Sequence, residues 1–203
     1  MGELIVLADR FADRSRPTTG GPVAFFFDLA CPFSYLAAER VERTLGDVEW
    51  IPSASLTEPS WQLREVAERE ARALRVPLVW PDNWPKRFPG AVRAAAHAAD
   101  AGRASQFALA ASRLAFCGGF DLDDPEILAE AAAAAGLCPE DCLAAAEDRV
   151  WDAAPQATAE GLQRRGVHAL PAIRVGHVWR SGPHALSEAA GLMRAGVELA
   201  PGA

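Results

Sequence analysis

Lysine is almost absent from this chain: of twenty lysines and arginines in 203 residues, Lys86 is the only lysine. Acidic side chains outnumber basic ones and leave a net charge of −7. That balance excludes the broad basic field that a nucleic-acid partner or an anionic membrane surface requires. Long apolar runs are missing too. Leu4–Ala8 is short and flanked by Glu3 and Asp9, unlike a signal peptide, and no stretch reaches the ~20 apolar residues of a membrane span. Cysteine is sparse, at positions 31, 117, 138 and 142. The expected setting is cytoplasmic, where such thiols rest reduced, which argues against a disulfide framework.

What remains suits a globular protein. Half the residues are hydrophobic and 23% are charged, enough for a real core. The length fits one domain, or one domain carrying a large insertion.

Residues 3–8 read as an edge strand, and residues 9–21 as a polar link ending in Gly20-Gly21. Val23–Asp28 reads as a short buried strand. A helix is expected to follow Cys31-Pro32-Phe33-Ser34, with Ala37, Val41 and Leu45 on its apolar face and Gly46 as its stop. Val48–Ile51 reads as a second strand. From 57 to 149 helical periodicity takes over, and four to six helices are expected. Trp80–Pro85 breaks this pattern as a proline-bound loop, and Asp124-Pro125 reads as an N-cap followed by a first-turn proline. The tail alternates again: a helix over 152–165, strands at 172–175 and 178–180 joined by a tight turn at Gly176-His177, and a closing helix over 184–195. The expected fold is therefore α/β, with a central mixed sheet in the order βαβ…αββα. Residues 1–56 and 150–203 form that domain, 1–22 being an N-terminal extension, and 57–149 an inserted all-helical domain.

The chemistry gathers at two segments. Cys31 ends a strand-turn and opens a helix, whose free N–H groups and positive dipole end favour thiolate. Its pKa is expected to fall below that of a free cysteine. Pro32 suits the first turn. Ser34 can hydrogen-bond a thiolate but cannot resolve a mixed disulfide. The second segment is Gly166–Ala172, where Pro171 opens a strand after a glycine-closed helix; the family resemblance drawn below implies a cis-proline at this place. Cys138 and Cys142, four residues apart with no histidine nearby in sequence, read as packing residues, and no metal is expected.

The run Phe27–Ala37, containing Cys31-Pro32-Phe33-Ser34, resembles the opening of the DsbA-like thioredoxin superfamily. It is most similar to the branch of 2-hydroxychromene-2-carboxylate isomerase and kappa-class glutathione transferase. Asp123–Leu128 and Gly166–Pro171 follow in the same order. The resemblance implies a thioredoxin fold with an inserted helical domain and a thiol-type ligand between the two. It assigns Cys31 and Ser34 catalytic roles, and places a cofactor against Pro32, Phe33, Leu170 and Pro171. His168, Trp84 and Trp179 are candidates for the substrate pocket. The isomerases usually carry serine at the position of Cys31, and the dithiol enzymes carry cysteine at that of Ser34, so this chain stands between them.

The leading expectation is a monothiol thiol–disulfide oxidoreductase with a small-molecule thiol or disulfide as substrate and no tightly bound cofactor. Release of a mixed disulfide then needs an external thiol or Cys117. The alternative is an isomerase or transferase using glutathione or another low-molecular-weight thiol. A third reading is a binding module that kept the groove without turnover. A homodimer is compatible with each.

Overall fold

The structure is a computed structural model and describes residues 23–195. The edge strand expected over 3–8 and the link over 9–21 lie outside them. The sheet has four strands in the order β2-β1-β3-β4: β1 (Val23–Phe27), β2 (Val48–Pro52), β3 (Ala172–Val175) and β4 (Val178–Ser181). β1 is central. It runs parallel to β2, with Phe25 opposite Trp50, and antiparallel to β3, with Phe25 opposite Ile173. β3 and β4 form the expected hairpin, with Arg174 opposite Trp179.

Strand alternation divides the aromatic run of β1 between two faces. Phe25 and Phe27 join Trp50 and the main core, while Ala24 and Phe26 turn to the other face with Leu162, Val167 and Leu170. A parallel pair needs a crossover. Here it comprises two short helices, α1 (Pro32–Ala38) and α2 (Val41–Leu45). The single helix expected over this stretch breaks because the backbone of Arg40 leaves the helical region, at φ −133°. The helix stop at Gly46 has a positive φ of 80°, a conformation glycine adopts at little cost.

Five helices separate β2 from the C-terminal part: α3 (Arg64–Leu74), α4 (Pro89–Asp100), α5 (Ala104–Phe116), α6 (Pro125–Ala134) and α7 (Pro139–Glu147). Asp124 caps α6 as expected, its carboxylate accepting from the Glu126 N–H at 2.9 Å. Small residues dominate the buried faces, with Ala91, Ala94, Ala98, Ala108, Ala111 and Ala115 all inaccessible. These side chains let helix backbones approach closely. The resulting core is continuous with Phe25, Phe27 and Trp50 of the sheet. α8 (Ala153–Arg164) covers the opposite face, and α9 (Ala185–Arg194) closes the front. No helix among the described residues is long and apolar enough to cross a membrane.

Candidate active site

Cys31 lies just past the end of β1, held by a turn in which its N–H donates to the Asp28 carbonyl at 3.1 Å. It is the N-cap residue of α1, with extended backbone (φ −96°, ψ 114°), and Pro32 occupies the first helical position. The thiol donates to the Leu170 carbonyl at 3.3 Å, bridging residues 139 apart in sequence. The Leu170–Pro171 peptide is cis. Pro171 leads directly into β3, which sits beside β1, so sheet pairing itself delivers Leu170 to Cys31.

Ser34 is buried. Its Oγ accepts the Asp28 N–H at 3.2 Å, which leaves the hydroxyl proton free to face the sulfur. The Phe33 and Ser34 N–H groups and the Ser34 hydroxyl favour the Cys31 thiolate. They are outweighed: burial and the Asp28 carboxylate push the thiol up to about 11. The expectation of a depressed pKa is thereby corrected. A helix N-terminus favours a thiolate by about 1–2 kcal/mol at most, less than desolvation and a like charge together take away. In the unliganded protein at neutral pH Cys31 is therefore a thiol, in keeping with its role as donor to Leu170.

Asp28 is the residue the sequence reading passed over. It is only 6% exposed, and its Oδ1 accepts the Ala30 N–H at 2.9 Å. Burial raises its carboxyl above the ordinary range, opposed by the Ser55 side chain, the Ala30 N–H and the field of Arg87. Arg87 in turn pairs with Glu58 at 2.6 Å. A signal was present: a carboxylate directly follows a buried, phenylalanine-rich strand, three residues before the cysteine.

The other candidates divide. Leu170 and Pro171 meet Cys31 through backbone, with both side chains buried. The Phe33 side chain is packed in the main core, so its backbone N–H is the part available to the site. Trp84 reaches the site from behind: its Nε1 donates to the Ala30 carbonyl at 3.4 Å, and its ring lies 4.3 Å from that of Trp80. At 1% exposure it is a wall under the turn, not an open pocket surface. His168 is exposed, two residues before Leu170. Trp179 does not belong to the site. It packs on Phe26 at 5.3 Å, on the face away from the main core, and pairs with Arg174 at the end of β3 remote from Pro171. Period-two alternation puts it there, and spacing alone did not reveal the face.

All four cysteines are free thiols. Cys142 is buried in the core between helices, and Cys138 is exposed with its thiol 3.0 Å from Glu140. Cys117 caps the C-terminal end of α5 and lines a separate pocket with Tyr35, Glu39 and Arg113.

The family model of the DSBA-like thioredoxin domain matches residues 22–190. Among solved structures, that of 2-hydroxychromene-2-carboxylate isomerase superposes with a TM-score of 0.69, covering 88% of this chain and 98% of its own at 18% identity. A probable DsbA oxidoreductase from Streptomyces coelicolor gives 0.68, over 89% and 92% at 20% identity. The cytosolic disulfide reductase DsbM from Pseudomonas aeruginosa, solved with GSH, gives 0.63, over 85% and 97% at 15% identity. At such identities the likeness is one of fold. The comparison with curated proteins yields no match.

Proposed function

Because the chain belongs to the DSBA-like thioredoxin domain family, we propose that it is a thiol–disulfide oxidoreductase working through one cysteine, Cys31. The observation that carries this reading is the Cys31 thiol at a helix N-cap, in contact with the Leu170 carbonyl. That contact supports a site in which an incoming substrate takes the place of the thiol at the backbone before Pro171.

Chemistry begins from the thiol. Substrate binding displaces the Leu170 contact, and the proton leaves Cys31. The Phe33 and Ser34 N–H groups and the Ser34 hydroxyl then hold the thiolate. The thiolate attacks one sulfur of the substrate disulfide, the S–S bond breaks, and the far half departs as a thiolate that takes up a proton. Ser34 offers no second sulfur, and Cys117 lines a different pocket. Release therefore falls to an external low-molecular-weight thiol. Glutathione is a fitting choice, and the GSH in the DsbM structure is compatible with it. A reducing, cytoplasmic setting would supply it.

The raised thiol pKa supports a second reading, in which a neutral Cys31 S–H donates to the sulfur of a bound thiol cofactor in an isomerase or transferase. Steady-state turnover separates the two. Cys31→Ser should abolish glutathione-dependent reduction of a small disulfide yet keep a cofactor-orienting hydroxyl. Full disulfide-reductase turnover in Cys31→Ser would sink the oxidoreductase reading.

A further inference from the structure

Three of the six tryptophans and the only tyrosine of the chain lie in one unbroken line of rings. Trp61, three residues before α3, packs edge-on against Trp84 with centroids 5.4 Å apart, and Trp84 lies 4.3 Å from Trp80. Trp80 meets Phe116 at 6.2 Å, and Phe116 stacks on Tyr35 at 5.8 Å. The line begins at the surface and passes behind the Cys31 turn, where Trp84 is bonded to Ala30. It ends where Tyr35 lines a pocket of about 290 Å³ with Glu39 and Arg113.

Core packing first offers a plain explanation, because aromatic pairs at these spacings stabilise an interior. It covers the inaccessible rings of Trp84, Phe116 and Tyr35. Two features remain outside it. Trp61 is 55% exposed, the one exposed tryptophan of the six. Trp80 donates its indole N–H to the Glu68 carboxylate at 3.0 Å, where Trp84 has only a carbonyl. Hydrogen bonds from Arg64 and Trp80 lower the Glu68 carboxyl, so it stands ionised. An indole N–H facing a carboxylate can shed its proton as the ring loses an electron, and a carbonyl is too weak a base to allow this. The Arg64 guanidinium lies 5.7 Å from the Trp61 ring and 5.5 Å from that of Trp80. It makes a retained positive charge on either ring unfavourable and so favours loss of the proton.

We propose that these rings form an electron-transfer path: a one-electron oxidant that strikes Trp61 leaves its oxidising equivalent at Tyr35, not at Cys31. The oxidant takes one electron from the Trp61 indole and departs reduced. Electrons then pass stepwise from Trp84, Trp80 and Tyr35 toward the vacancy, with Phe116 bridging the last two without being oxidised. Glu68 takes the Trp80 proton while that ring is oxidised and returns it when Tyr35 supplies the electron. Burial keeps the Tyr35 phenol protonated, so its oxidation releases a proton into the pocket shared with the Glu39 carboxylate. A neutral tyrosyl radical remains. A phenol whose proton has a way out is oxidised more easily than an indole, which sets the direction. In sum one electron goes to the oxidant and one proton to solvent, and the indoles are restored. The path is independent of the reaction at Cys31.

Pulse radiolysis with the azide radical tests it. The radical oxidises exposed indole and becomes azide ion, while Tyr35, at 1% exposure, is beyond its direct reach. Tryptophan-radical absorption should decay as tyrosyl absorption grows, at a rate independent of protein concentration, with no tyrosyl in Tyr35→Phe. Glu68→Gln keeps an acceptor for the Trp80 N–H but no base. It should slow the growth about tenfold, the equivalent of one charge-assisted hydrogen bond. Trp80→Phe should abolish the growth in a protein whose circular dichroism is unchanged. Cys31→Ser should leave the tyrosyl yield as it is. Absence of tyrosyl, growth that quickens with protein concentration, a rate that Glu68→Gln or Trp80→Phe leaves unmoved, or a yield that rises in Cys31→Ser would overturn the proposal.

Discussion

Asp28→Asn tests the electrostatics of the reactive centre most sharply. The substitution removes a buried carboxylate while an amide oxygen can still accept the Ala30 N–H. At several ångströms' separation and an effective dielectric of about 20, a carboxylate and a thiolate repel by about 2 kcal/mol. Removing that repulsion multiplies the thiolate fraction at neutral pH about thirtyfold. A less basic thiolate is also a weaker nucleophile, with a Brønsted slope of about 0.5, so the observed rate on a disulfide should rise about fivefold. The assay is the rate of thiopyridone release from the neutral reagent 4,4′-dithiodipyridine as a function of pH, with Cys31→Ser as the blank. The midpoint should fall below the wild-type value of about 11. Stability supplies a second readout. A carboxyl whose folded pKa is raised stabilises the fold at low pH, and that contribution is lost as pH climbs past its ordinary 3.8. Asp28→Asn should therefore raise Tm at pH 7, with the gain closing in acid. A folded variant whose thiol midpoint stays put or rises would refute the assignment of Asp28 as the group opposing ionisation.

Further outcomes follow from the same contacts. Ser34→Ala leaves the buried Asp28 N–H without its acceptor; it should cost about 1–3 kcal/mol in urea unfolding and move the Cys31 midpoint higher. Alkaline stability should be fully present below about pH 9 and decline toward pH 11, because the Cys31 and Cys142 thiols are both raised from 9.0 to about 11. Unfolding midpoints across that range check it, and Cys142→Ala should flatten part of the decline. Trp84→Phe keeps an aromatic ring beside Trp80 but drops the hydrogen bond to the Ala30 carbonyl, for a loss of about 1 kcal/mol by denaturant titration.

The parts legible in the sequence were those governed by local rules. The aromatic run at Val23–Phe27, the Cys-Pro helix start, the Asp124-Pro125 cap and the Gly176-His177 hairpin each carry their own signature, and the structure has each within a residue or so. The family resemblance implied one ligand site for the segments of Cys31 and Leu170, and the pairing of β3 with β1 brings Leu170 to Cys31. What escaped was non-local. The break at Arg40 carries no glycine or proline to mark it, and the short α2 that follows packs against α9, far along the chain. The face occupied by Trp179 depends on the pairing phase of β4. Above all, the Cys31 pKa depends on burial and on Asp28, a balance between a helix end and its surroundings that the motif alone cannot weigh.

Trapping the mixed disulfide tests the central claim most directly. The wild-type protein is mixed with the neutral 2-hydroxyethyl disulfide at pH 8, quenched with acid and mapped by peptide mass spectrometry, before and after addition of glutathione. The account predicts an adduct on the peptide carrying Cys31, cleared by glutathione and absent in Cys31→Ser. Adducts confined to Cys117 and Cys138, with Cys31 unmodified at full disulfide excess, would contradict it.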